Sequence, residues 1–215
     1  MNRSVYSLVL MDDVVAAIDR MAARMQTSRS NLINQVLAQY ASCVTPEMRM
    51  REIFSRMEEL MDESLQMQLQ PSEAMISIRS ALMVKYRPTV RYQVELYRNA
   101  APQVGEFRAL FRTQSRSLLE GLERFFHLWE GLENLRFAGQ APCEHGPGRF
   151  RRQFPLPGTA AQPTNDALAE AIARYVEAFD GALKDYFAYA DQPEQAAQRV
   201  RKRYSAYARV SAPIL

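Results

Sequence analysis

The residues able to do acid–base, nucleophilic or metal chemistry are few. The chain holds two histidines, His127 and His145, and two cysteines, Cys43 and Cys143. Cys143-Glu144-His145 has the look of a metal-ligand fragment. A closed zinc site takes four ligands. Cys and His alone do not supply them here within one chain, which leaves only a site shared between subunits. His127 sits in the apolar helical stretch Phe125-Phe126-His127-Leu128-Trp129, where a partly buried structural histidine is expected rather than a base. No P-loop, Gly-rich dinucleotide turn or nucleophile elbow occurs. The expectation is therefore a protein that is not an enzyme, with no catalytic residues, no cofactor and no metal. Two cysteines do not make a disulfide framework, so a reducing cytoplasm is expected.

The remaining chemistry is that of arginine. Lys and Arg total 27 against 24 Asp and Glu, a net charge of +3 over 215 residues, and only Lys85, Lys184 and Lys202 are lysines. The planar guanidinium suits phosphates and base edges. A charge of +3 does not by itself argue for nucleic acid, and genomic base composition is a competing source of arginine. With 47% hydrophobic and 24% charged residues, the composition is that of a globular protein, not a disordered or collagen-like chain. No run of about 18 apolar residues is present, so no membrane partner is expected. Asp12 and Asp13 interrupt what would be the apolar core of a signal peptide.

Elements must position these side chains, and the N-terminus is the most informative stretch. Residues 3–10 read Arg-Ser-Val-Tyr-Ser-Leu-Val-Leu. Tyr6, Leu8 and Leu10 alternate with Val5, Ser7 and Val9, which predicts a short strand. Asp12 is the expected N-cap of a helix carrying Val14, Val15, Ile18, Met21, Ala22 and Met25 at helical spacing. After the polar break at residues 26–31, Ser28 or Ser30 caps a second helix with the stripe Leu32, Ile33, Val36, Leu37 and Tyr40. One strand and two short helices cannot bury a core alone; pairing the strand with its copy from a second chain solves this.

The run Leu10-Met11-Asp12-Asp13-Val14, continuing to Ala22, and the turn Thr27-Ser28-Arg29-Ser30-Asn31-Leu32-Ile33 resemble the ribbon-helix-helix family of bacterial DNA-binding proteins. The resemblance covers residues 3–42, about a fifth of the chain. It implies a homodimer whose antiparallel ribbon enters the major groove of double-stranded DNA. Val5, Ser7 and Val9 would then face the bases. Arg3 and the start of the second helix (Ser28, Arg29, Ser30, Asn31) would meet phosphate, as helix N-termini do. The chain departs from the family in one respect: two of the three outward ribbon residues are valines, which can meet a thymine methyl but cannot form bidentate hydrogen bonds. Residues 1–45 hold four arginines and three aspartates, a charge of +1. The module thus reads as a weak or permissive DNA binder, or as one used only to dimerise.

The rest reads as a connecting helix over 45–63 and an α+β domain over 64–215, with the ribbon-helix-helix domain at 1–44. Thr45-Pro46-Glu47 is a helix start, and Met50, Ile53, Phe54, Met57 and Met61 form its apolar face. The period then becomes two: Leu65, Met67 and Leu69; Ile76 to Tyr86; Val90 to Leu96; Phe107 to Phe111. This predicts an antiparallel meander packed with helices, the first of them starting at Ser115 with Leu118, Leu122, Phe125, Trp129 and Leu132. Residues 137–165 read as loop, with an edge strand at Arg149–Phe154. Two further helices begin near Thr164 and Pro193.

The alternation places Arg79, Lys85, Arg91, Arg108 and Arg112 on the outer sheet face with Tyr97. Cations interleaved with an aromatic can track a backbone and stack bases. Four strands followed by a helix is an order similar to single-strand-binding folds of the PUR and Whirly kind. The competing reading is a solvated face. The functional expectation is a cytoplasmic, dimeric or higher-order, sequence-permissive DNA-binding protein, nucleoid-associated when bound to DNA. It would act as a transcriptional regulator or a nucleoid or plasmid maintenance factor, with a possible single-stranded nucleic-acid or protein partner for the second domain.

Overall fold

The structure is a computed structural model describing residues 5–69, 74–83, 88–98, 102–138, 142–155 and 163–210. Among these the order is α1 (Asp12–Arg24), α2 (Arg29–Tyr40), α3 (Pro46–Leu60), β1 (Gln66–Leu69), β2 (Met75–Ala81), β3 (Thr89–Leu96), β4 (Gln103–Phe111), α4 (Arg116–Arg136), β5 (Cys143–Gly146), β6 (Arg149–Pro155), α5 (Asn165–Ala188) and α6 (Pro193–Val210). The six strands form one antiparallel sheet in the order β1-β2-β3-β4-β6-β5. No described helix is long and apolar enough to cross a membrane.

Period two decides which side of the sheet is covered. Ile76 and Ile78 on β2, Val90, Tyr92, Val94 and Leu96 on β3, Phe107, Ala109 and Phe111 on β4, and Phe150 and Phe154 on β6 are all buried, and cross-strand register puts them on one face. Helices α3 to α6 bury their stripes there. Phe179 of α5 is the hub: its ring lies 5.1 Å from Phe107, 5.4 Å from Phe125, 5.2 Å from Trp129 and 5.1 Å from Phe150, mostly edge-on, as ring quadrupoles prefer. Ser115, Thr164 and Thr45 cap α4, α5 and α3 through their side-chain oxygens.

Two buried polar clusters inside this core are held by ion pairs. The Tyr92 hydroxyl donates to Asp180 Oδ1 at 2.8 Å, and Lys184 Nζ reaches Asp180 Oδ2 at 2.7 Å. Arg152 points inward from β6 at 0% exposure, donates from Nε to Glu133 at 3.2 Å, and lies over the rings of Tyr175, Phe154 and Phe137. A buried guanidinium needs both a counter-charge and contact of this kind. Gly105 marks a register shift between β4 and β6. A Cβ there would lie 2.1 Å from the Glu95 carbonyl oxygen, so the close approach of β3 requires glycine.

Several sequence expectations change. The strand predicted for residues 3–10 does not form within the chain: residues 5–11 carry no strand pairing, and regular structure begins with α1. Among the described residues, no other segment lies alongside to complete a ladder. The N-cap of α1 is Met11, with no side-chain cap, and Asp12 and Asp13 occupy the first turn, where they favour the helix dipole. The apolar face expected on the 45–63 helix is core: Met50, Ile53, Phe54 and Met57 of α3 belong to the main cluster. Arg149–Pro155 is an interior strand, and the edge is β5, in a stretch read as loop. His127 is exposed rather than partly buried. Prolines misled the edge assignment: Pro147 sits in the β5–β6 turn beside Gly148 (φ 66°), and Pro155 ends β6, so neither interrupts a ladder.

Candidate nucleic-acid interface

The N-terminal unit has little core of its own. Ala22, Leu32 and Ala38 are buried, but they lie apart from the main core. Val14, Met21, Met25, Val36 and Leu37 stay between 37% and 53% exposed, and Tyr40 is 92% exposed. The preceding segment is more open still. Val5 and Val9 are fully exposed, whereas Leu8 and Leu10 are at 59% and 40%. Tyr6, on the side assigned inward, is also 83% exposed, so both sides of the segment are open, the side assigned to bases (with exposed Ser7) the more so.

At the turn between α1 and α2, Gln26 takes a left-handed φ of 50° to end the first helix. Ser28 Oγ accepts from the Asn31 amide at 3.2 Å and so caps α2. The Asn31 side chain donates to Thr27 Oγ1 at 2.9 Å. Arg29 forks onto Asp19, with Nε and Nη2 at 2.6 and 2.5 Å from the two carboxylate oxygens. Ser30 is exposed in the first turn. Of the proposed phosphate contacts, then, Ser30 is exposed, Ser28 and Asn31, its amide included, are committed to the cap, and Arg29 is committed to α1. Arg3 lies outside the described residues.

The outer sheet face differs from the expected row of free cations. Glu106 of β4 is buried among them. Tyr97 donates its hydroxyl to Glu106 Oε2 at 2.6 Å, Arg151 donates Nε and Nη2 to the same oxygen at 2.8 and 2.5 Å, and Arg108 pairs with Glu106 Oε1. Arg108 also meets Glu95 at 3.0 Å, and Arg151 meets Glu144 at 3.4 Å. Burial pushes the Glu106 carboxyl up, but hydrogen bonds from Tyr97 and Arg151 and the charges of Arg108 and Arg151 outweigh it and hold the group below its ordinary value. Burial and the bond to Glu106 raise the Tyr97 phenol, and the bond to Glu106 raises Arg151.

The sequence phase placed Arg79, Arg91 and Arg108 on this face correctly. Tyr97 and Arg108 are engaged with Glu106. Arg79 faces Arg91 directly across β2 and β3, and the two have no ion-pair partner among the described residues. Arg112 is exposed just past β4, and Lys85 lies outside the described residues. Glu106 and Arg151 were missed. Their signal was present in the alternation: Glu106 shares the outward phase of Arg108, and Arg151 the outward phase between Phe150 and Phe154. No protein-family profile matches the chain, nor does any curated protein or solved structure.

Proposed function

We propose that the protein is a homodimeric, weakly or permissively reading DNA-binding protein, of the kind that regulates transcription or maintains a nucleoid or plasmid. One observation carries the reading. An exposed segment without strand pairing, residues 5–11, leads directly into a two-helix hairpin many of whose apolar side chains stay open to water. A second copy supplies what both lack. The two extended segments pair as an antiparallel ribbon, with Tyr6, Leu8 and Leu10 turned onto the helices of both chains. Burying side chains of this size is worth roughly 1.5–3 kcal/mol each. Val5, Ser7 and Val9 then face outward, at a width that fits the major groove. Exposed Ser30 at the N-terminus of α2 offers a phosphate contact on either side.

The affinity expected is low, because Arg29 is paired with Asp19 and the ribbon's outward face is largely apolar. A fluorescence titration of duplex fragments against salt tests the reading. Binding with a shallow salt slope that disappears when residues 1–44 are removed supports it; affinity that survives the deletion refutes it. The second reading, a ribbon used only for dimerisation, is favoured by that same Arg29–Asp19 pair. Single-stranded nucleic acid on the sheet has less support, since Tyr97 and Arg108 already bond Glu106.

A further inference from the structure

The chain has two histidines, 18 positions apart in sequence, and the fold brings them into ring contact. His127 lies on α4 and His145 on β5, with ring centroids 4.5 Å apart and the planes perpendicular. Glu130 stands one helical turn beyond His127, on the same face of α4. Its Oε2 lies 3.3 Å from His145 Nε2. One ligand atom from each of the three residues falls within 4.8 Å of the others.

We propose that His127, Glu130 and His145 form a binding site for a divalent transition-metal ion, zinc being the ion of first choice. The donor set is two imidazoles and one carboxylate, the kind that holds zinc through three protein ligands and leaves a further position to water. At zinc bond lengths of about 2.0–2.2 Å, tetrahedral ligand atoms stand roughly 3.3–3.6 Å apart. The His145–Glu130 pair already has that separation. The His127 side chain is exposed, so a rotation about its side-chain bonds closes the remaining gap without moving backbone. The His145 side chain is only 10% exposed and the Glu130 side chain 30%, which fixes two ligands and leaves the open position toward solvent on the His127 side. One turn farther along α4, Glu133 is neutralised by Arg152, so the site's net charge comes from Glu130. The metal would tie β5, which among the described residues pairs only with β6, to the helix above it. The inference stands apart from the nucleic-acid reading and uses none of its residues.

Calorimetric titration of the untagged full chain with Zn²⁺, in a Cys43→Ser background to remove the exposed thiol, tests it. The expected result is one ion per chain. His127→Ala should weaken binding by at least about tenfold, as loss of even a supporting group does at such sites. Because His127 is exposed, this variant keeps its fold, which circular dichroism checks. Substituting Co²⁺ should give visible absorption that His127→Ala abolishes. Absence of saturable binding, or equal affinity in the parent and His127→Ala, overturns the proposal.

Discussion

Arg29 and Asp19 form a two-point ion pair that ties the first turn of α2 to α1. The pair raises the Arg29 guanidinium, chiefly through its hydrogen bond to Asp19, and lowers the Asp19 carboxyl for the same reason. It also occupies the one arginine at the start of α2, the helix end best placed to meet a phosphate. Asp19→Asn should therefore release Arg29 and strengthen duplex binding. The slope of log affinity against log salt should steepen by about 0.9 for each further phosphate that the dimer neutralises. Anisotropy titrations at several salt concentrations measure both; an unchanged slope would remove Arg29 from the interface.

The two faces of residues 5–10 should respond differently. Leu8→Glu puts a charge on the side that the proposed ribbon turns toward the helices and should shift sedimentation from dimer to monomer, while far-ultraviolet circular dichroism keeps the signal of the main body. Val5→Glu with Val9→Glu alters the fully exposed side and should leave the dimer intact while abolishing DNA binding. Retention of DNA binding in the second variant would favour the ribbon as a dimerisation device only.

Arg152 and Glu133 are both wholly buried, so removing one strands the other. Arg152→Met should destabilise the protein by roughly 3–5 kcal/mol, measured by urea unfolding. Arg152→Met combined with Glu133→Leu should recover most of that loss, since a buried pair and its apolar replacement are often of similar stability. A double variant as unstable as the single one would mean that the ring contacts of Arg152, rather than its charge pairing, dominate.

Tyr92→Phe deletes the buried hydrogen bond to Asp180 and leaves that carboxylate to Lys184 alone. A bond to a charged group is worth about 1.5–3 kcal/mol, and the unfolding free energy should fall within that range.

Glu106 gives the fold an acid-sensitive element. Its carboxyl is held below the ordinary value of 4.5, so its contribution to stability is complete above that value. The contribution is lost as pH falls below 4.5 and through the depressed folded value. Glu106→Gln should flatten the fall of stability in this acid window, as followed by urea midpoints. A slope identical to that of the parent would show that other carboxylates govern acid unfolding.

Much of the architecture could be read from periodicity because burial obeys it. Val90, Tyr92, Val94 and Leu96 alternate without exception and are all buried; Ser115, Thr164 and Thr45 cap the helices they precede. What escaped depends on partners distant in sequence. Arg152 shares the inward phase of Phe150 and Phe154, but an arginine at such a position is acceptable only with a buried counter-charge, and Glu133 lies 19 residues away on α4. His127 reads as half of an apolar helix face, and Cys143-Glu144-His145 as an incomplete metal fragment. The carboxylate that joins the histidines, Glu130, belongs to neither pattern, and a ligand count restricted to cysteine and histidine passes over it. The residues 3–10 strand illustrates another limit: alternation records which sides differ, while a strand exists only where another backbone lies beside it.

The sheet ends on short strands. The edges, β1 and β5, have four residues each, against seven to nine in the interior strands. Each edge thus offers only a few unpaired amides and carbonyls to a passing chain, too few to template the open-ended strand addition that leads to aggregates. The consequence is selectivity in self-association. On the proposed dimer, a body that resists recruiting strands along its flanks would leave the apolar N-terminal segment to pair with another copy of itself rather than with the sheet.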